Sequence, residues 1–462
     1  LFCRQIIHTL FNKLKALNLK SLQPKLDKAL NSSFSVIAQI TSHFRFGVFL
    51  AFLSVAFINS SLEAFNFTHN TKVESRWPND SISKKKIESS KTATKQWYEK
   101  IAIRGYTQVR YNRLLETNDS LKCEQCDKSW GNGGFFIRRM RVIIFGQVSE
   151  NVYIYIQPDF ASSPANGANN FGQLRDAYFD LSIDKKKEFR FRVGQSKVPF
   201  GFENLQSSQN RIPLDRNDAL NSAVSNERDL GVFFYWAPEK TRKLFSSLVN
   251  EGFKGSGDYG VFGLGIYNGQ TANKTDASKY PHIVSRISYP MQFKGQAFEA
   301  GIQGYKGKYT VESRSTGVKA SNKEFEYDDE RVAASFILFP KPLGIQAEYN
   351  VGRGPEFNTK TDSIETQKLK GGYVTASYFQ KIGKQILIPF IRMQYYDGGK
   401  KHELDARSYT VKEFEYGIEW QPIKSFEMVV MYTSSDRRFE DFKLQNNRQK
   451  GRLLRLQAQF NF

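Results

Sequence analysis

From Ile101 onward the chain alternates apolar and polar residues in runs of period two. In the last eleven residues, RLLRLQAQFNF, Leu454, Leu456, Ala458, Phe460 and Phe462 form one face, and Arg455, Gln457, Gln459 and Asn461 form the other. Phe189 and Phe191 oppose Arg190 and Arg192 in the same way. Phe414, Tyr416, Ile418 and Trp420 oppose Glu413, Glu415, Gly417 and Glu419, and Ile101, Ile103, Val109 and Tyr111 oppose Arg104, Gln108, Arg110 and Asn112. A strand that is apolar on one face and charged on the other suits a barrel wall between lipid and water, because lipid satisfies neither side-chain charge nor an open strand edge.

Sixteen strands of this kind are predicted, the first over 101–114 and the last over 452–462, with no convincing amphipathic helix between them. Their connections alternate in length. The long ones are 115–134, 160–173, 198–228, 269–281, 306–329, 351–370, 397–410 and 434–451. The short ones include 149–150, 184–187, 290–294, 340–342, 380–385 and 421–424, and one connection on that side, 238–257, breaks the rule. The pattern predicts an all-β fold, a 16-stranded antiparallel transmembrane β-barrel with short periplasmic turns and long extracellular loops. Two places fit badly. Met140, Val142 and Ile144 look lipid-facing, which puts Arg138 on their face, near the rim and snorkelling to lipid phosphates. Pro389 inside the strand 386–396 calls for a bulge or other strand limits.

Upstream of the barrel the pattern changes. Mean hydropathy is −0.51, and the one long apolar run is Phe46 to Ile58. Thirteen residues are too few for a spanning helix, which needs about 20, but they suit the core of a secretory signal. The expected organisation is a leader over 1–64, a polar periplasmic extension over 65–99, and the barrel over 100–462. Residues 1–42 read as an upstream extension of the frame or as an amphipathic helix.

Charge adds a candidate function. The chain carries a net charge of +21, of which the seven basic and two acidic residues of 1–64 account for +5. The remaining excess points to an anionic partner, and secretion argues against nucleic acid. By strand parity Arg104, Arg110, Arg139, Arg141, Arg190, Arg192, Arg286, Arg392 and Arg455 face the lumen. A water-filled barrel lined by guanidinium groups attracts anions and repels cations, and Arg grips phosphate through paired hydrogen bonds. The same arginines could instead pair with lumenal acids such as Asp176, Asp180, Glu299 and Glu348, leaving a weakly selective pore. The longest connection, 198–228, mixes Arg211, Arg216 and Arg228 with Glu203, Asp215, Asp218 and Glu227. As the third long loop it could fold into the lumen and narrow it, or stay outside as an ordinary surface loop.

Signals for other chemistry are thin. Cys123 and Cys126 form a single C-x-x-C, read as a local disulfide or two idle thiols; a metal site would need about two further ligands. His69, His282 and His402 are far apart, and no G-x-S-x-G, H-E-x-x-H or Walker motif occurs. No catalytic residue, cofactor or metal is therefore assigned. A ligand-binding or adhesion barrel with a plugged lumen, and a barrel hydrolase built from distant loops, stay open as rivals.

GQSKVPFGFENLQSS (194–208), NERDLG (226–231), GLGIYNG (263–269), AEYNVGRGPEF (347–357), YYDGGKKHELDARSY (395–409), GIEW (417–420) and QKGRLLRLQAQFNF (449–462) resemble the phosphate-selective porin O/P family, in the forms found in Bacteroidota. The resemblance implies a sixteen-stranded trimeric barrel in the bacterial outer membrane, set among lipid and lipopolysaccharide, that takes up small anions passively, phosphate among them. It implies a ladder of lumenal arginines leading to a constriction with a lysine, which Lys197 matches, beside Arg228. It also implies recognition of the terminal Phe462 by barrel assembly machinery. Glu203, Asp215 and Asp218 depart from that picture by adding negative charge to the third loop.

Overall fold

A computed structural model describes residues 96–115, 133–163, 168–322 and 324–462. The expected leader, most of the 65–99 extension, Cys123 and Cys126 lie outside the described residues. Sixteen long strands form the wall: β1 (Ile101–Leu114), β2 (Gly133–Gln147), β3 (Val152–Ser163), β4 (Ala168–Ser182), β5 (Phe189–Lys197), β6 (Arg228–Trp236), β7 (Phe262–Tyr267), β8 (His282–Phe293), β9 (Gln296–Thr310), β10 (Glu326–Leu338), β11 (Leu343–Asn358), β12 (Ser363–Tyr378), β13 (Gln385–Gly399), β14 (Ser408–Ile423), β15 (Phe426–Glu440) and β16 (Arg448–Asn461). Each pairs antiparallel with its sequence neighbours, and β1 pairs with β16 from Tyr106↔Asn461 to Leu114↔Leu453. The barrel is therefore closed and has no free edge, as a spanning sheet requires.

The alternation sorts as the sequence predicts. Ile103, Val109, Leu230, Val232, Leu264, Ile266, Phe414, Trp420, Phe460 and Phe462 are exposed on the outer face. Arg110, Arg455, Gln457, Glu413, Glu415 and Glu419 are buried on the inner one. No helix among the described residues is long and apolar enough to cross a membrane.

Several strands run 15 or 16 residues, against the roughly 9–11 that cross a bilayer. The surplus lies on the long-loop side. β12 starts at Ser363 rather than near 371, and β15 runs to Glu440 rather than to 433. Above the membrane the outer face need not be apolar, so the strands continue while the alternation fades.

Three local expectations are corrected. Arg138 does not face lipid: Gln108 pairs with Arg139 and Val109 with Ile137, so a β-bulge leaves Arg138 as the extra residue and turns it inward. Pro389 causes no bulge. It pairs with Ile418 on one side, while on the other the ladder lapses between Ser377↔Phe390 and Gln380↔Leu387 with the register unchanged, as expected where a residue lacks an N–H. The irregular connection 238–257 contains a real helix, Glu239–Asn250, with Thr241, Phe245 and Leu248 buried on one face. Two short helical turns, Phe202–Leu205 and Asp218–Asn221, lie in the third long loop.

The closing seam depends on Gly105. Its N–H donates to the Phe462 carbonyl at 2.8 Å and its carbonyl accepts from the Phe462 N–H at 3.0 Å. A Cβ at this position would lie 2.5 Å from the Phe462 ring and 2.5 Å from the Arg141 carbonyl. Gly105→Val is therefore expected to prevent closure. The check is heat-modifiable mobility on SDS gels, where the variant should lose the fast-migrating folded band; retention of that band would remove the seam's dependence on Gly105.

Candidate functional site

The third long loop, 198–227, turns into the barrel and is buried along almost its whole length. Two kinds of contact hold it. Its apolar side chains, including Val198, Phe200, Leu220 and Val224, pack on lumenal Phe233, Tyr235, Tyr267, Val284, Tyr305, Ala333 and Tyr373 from β6 to β12. Phe200 meets Tyr305 edge to face at 5.0 Å. Its Glu203, Asp215 and Asp218 carboxylates face the opposite wall.

Asp215 lies between Arg110 at 2.9 Å on β1 and Arg455 at 2.6 Å on β16, with Arg138 at 3.6 Å. Glu203 accepts from Arg392 at 2.8 Å and from the backbone N–H of Asn217 at 2.8 Å. Asp218 is paired with Arg437 at 2.7 Å and Lys400 at 2.6 Å. Glu227 bridges Arg216 and Arg228, with Arg175 at 3.6 Å. Arg331 donates to the Ala219 and Ser222 carbonyls and to the Ser222 hydroxyl, closing the turn at 218–221. Glu348 takes the backbone N–H groups of Phe202 and Glu203 at 2.6 and 2.9 Å, so it holds the loop and does not pair with an arginine.

The remaining arginines divide by partner. Arg192 pairs with Asp180 at 2.7 Å, Arg286 with Glu299 at 2.9 Å, Arg141 with Asp159 at 3.0 Å and Arg190 with Asp258 at 2.8 Å. Arg228 also meets Asp176 at 2.9 Å. Arg104 is exposed, over the Phe145 ring at 5.1 Å. Lys197 donates to the Leu205 and Gln206 carbonyls at 2.8 and 2.7 Å.

Arg139 and Arg211 differ from all of these. Both are buried, and among the described residues neither has a carboxylate within ion-pair distance. Arg139 donates to Gln108 at 3.0 Å. Arg211 reaches only the Leu214 carbonyl at 3.4 Å, and its Nε and Nη1 have no hydrogen-bond partner. The two guanidiniums repel each other and are crowded by Arg138, Arg141 and Arg216. An anion placed there would satisfy donors that the protein leaves open.

Sequence parity missed several members of this network. Arg138 comes inward through the bulge in β2. Arg175 does so through a second bulge in β4, where Gln157 pairs with Asp176 and Pro158 with Leu174. Arg437 lies beyond the expected end of its strand. Arg331 had the right parity and could have been read from it. Among the described residues no cluster of His, Cys, Asp or Glu is suited to hold a metal ion.

The model for the family described as phosphate-selective porin O and P matches residues 124–462. The chain belongs to this family. It is accordingly a channel-forming porin barrel rather than an enzyme. Solved structures of similar layout include the outer membrane channel DcaP of Acinetobacter baumannii, at 15% identity and TM-score 0.49, covering 78% of this chain and 97% of that one. OmpF of Salmonella typhi in complex with daunomycin matches at 12% identity and TM-score 0.49, with 78% and 97% covered. An anion-selective porin from Comamonas acidovorans matches at 10% identity and TM-score 0.42, with 78% and 99% covered. No curated protein sequence matches significantly.

The loop anchors have a pH signature. Burial alone would raise the carboxyls of Asp215 and Glu227, but Arg110, Arg138 and Arg455 around the first, and Arg216, Arg228 and Arg175 around the second, hold both well below the ordinary range. A depressed carboxyl stabilises the seated loop fully above its unfolded value of about 4, and the contribution is lost only as pH falls through the folded value. Loss of the Asp215 and Glu227 anchors, read as a rise or added noise in single-channel conductance, is therefore expected only in acid stronger than about pH 5. Removing one side of a buried pair costs roughly 3–5 kcal/mol, so Asp215→Asn should produce the same rise at pH 7. A level trace from this variant at pH 7 would show that Asp215 does not seat the loop.

Proposed function

We propose that this porin lies in the bacterial outer membrane and admits small solutes by passive diffusion, with a preference for anions and phosphate among its substrates. The supporting observation is the Arg139–Arg211 pair, two buried guanidiniums without an acidic partner among the described residues, beside the charge-pinned loop. Most of the other lumenal arginines are compensated by carboxylates and contribute position more than field, while Arg331 donates to loop carbonyls and Arg104 stays exposed. Selection then comes from the local excess of donors, and binding there must be weak enough to release the ion.

Family membership supports the location, with the long loops outside and the short turns in the periplasm. In this reading the secretory leader is cleaved, the barrel assembles as a homotrimer among lipopolysaccharide and lipid, and Phe462 is read by the assembly machinery. The second reading is a plugged barrel that binds ligand with its outer loops. The near-complete burial of 198–227 favours it, and absence of conductance would establish it.

Purified protein in a planar bilayer under a KCl gradient should give an anion-selective reversal potential, and added phosphate should reduce chloride current. Arg139→Gln with Arg211→Gln should lower the anion-to-cation permeability ratio severalfold and weaken the phosphate effect. Cation-selective reversal in the unmodified protein would overturn the anion reading.

A further inference from the structure

The connection between β6 and β7 is the one that does not fit the alternation of long and short. Its residues 237–261 lie at the short-turn end, where the neighbouring connections are tight. Its root is fixed. The Ala237 N–H donates to the Glu188 carbonyl, and Arg242 binds Asp258 at 2.7 Å and the Lys187 carbonyl at 2.6 Å. Asp258 also takes Arg190 from β5 at 2.8 Å.

Beyond the root the segment leaves its own side of the barrel. Phe245 packs on Ala237 and Val261, but Leu248 packs with Phe202 of the third loop and with Ala297, Ile337 and Phe339 at the ends of β9 and β10. Phe253 meets Phe379, after β12, at 5.6 Å, and Lys341 lies over its ring. Lys254 then reaches Glu419 on β14 at 2.5 Å, and both side chains are buried. β6 and β14 are eight strands apart in a ring of sixteen, so the segment reaches the opposite wall. There it also touches the constriction, since Gln206 donates to the Lys254 carbonyl at 2.6 Å.

The coverage reaches the ends of β9 to β14, and the short-turn end stays open around β1 and β3. Ala297, Ile337, Phe339, Ile388 and Glu419, at the short-turn ends of β9 to β14, are all buried. On the inner face of β1 at the same end, Arg104 is exposed, and Tyr153 nearby on β3 is half-buried.

We infer that the β6–β7 connection is a strap that closes the half of the periplasmic mouth under β8–β14 and directs solute out beside Arg104, the last charge on the path. The inference rests on the porin reading and deepens it. The third loop narrows the pore from the long-loop side, the strap narrows it from the other, and they meet at Gln206 and Lys254. Lys254 and Glu419 tether the strap's far end, while Arg104 acts on the permeating ion.

The test is single-channel recording of the full chain with every cysteine replaced by serine. Lys254→Ser with Glu419→Ser removes the tether without putting an apolar contact in its place and should raise conductance about twofold; unchanged conductance from a folded barrel, shown by its heat-modifiable band, overturns the strap. Arg104→Cys, treated with a negatively charged methanethiosulfonate from each side in turn, should lose at least half of its current, faster from one side. No loss overturns the exit route, and this arm decides alone if the double variant does not fold. The reversal potential of the unmodified protein is read separately, so a cation-selective channel would sink the anion reading while the conductance arms still judge the strap.

Discussion

Asp215 is the contact on which the interior depends. Its carboxylate lies between arginines of the first and last strands and adds a third from the β2 bulge, so one loop residue spans the seam where the barrel closes. Inside a protein wall the desolvation of a charge is severe unless a partner compensates it. An arginine placed inward must therefore find water, an acid or a carbonyl. Most of those seen here find an acid, and much of that acid comes from the loop. The loop is placed by where its carboxylates can be neutralised.

The loop's two faces follow from the same constraint. The wall from β6 to β12 offers aromatic and aliphatic side chains inward, an unusual choice for a water-filled barrel but a suitable one for burying Phe200, Leu220 and Val224. The opposite wall offers guanidinium groups to Glu203, Asp215 and Asp218. Apolar burial supplies much of the attraction and is indifferent to orientation. The ion pairs are directional, and they settle which face of the loop meets which wall. The acidic residues that count against a simple arginine-lined pore are thus the residues that hold the loop inside the barrel.

How much of this the chain disclosed in advance varies with the range of the rule applied. Period-two alternation is local, and it located all sixteen strands, the terminal strand's inward Arg455 and the loop asymmetry. A bulge is not local: it exists because one strand has an extra residue against a partner elsewhere in the chain. Arg138 beside Arg139, and Arg175 beside Asp176, are consecutive polar residues whose shared inward facing depends on the registers of β1 and β3. Strand ends above the membrane lose their apolar face, which hid Arg437. The helix Glu239–Asn250 has Thr241, Phe245 and Leu248 as its only buried residues among lysines and serines, too short a stripe to stand out from loop composition.

These omissions bear on selectivity. Counting inward arginines by parity treats each as a free positive charge, yet a guanidinium bound to a carboxylate adds little net field to the lumen. Among the described residues, Arg139 on β2 and Arg211 of the third loop are buried arginines with no carboxylate at ion-pair distance, and the proposed selectivity rests on them. At the short-turn end Arg104 is exposed on the neighbouring strand β1, while the strap fills the far half of the mouth. Two obstacles from opposite ends of the barrel, each held to a wall by its own ion pairs, leave the uncompensated charge along one side. On the proposed route a small anion passes Arg211, Arg139 and Arg104, and a modest net charge acts on it at close range where a wide lumen would dilute the same charge in water.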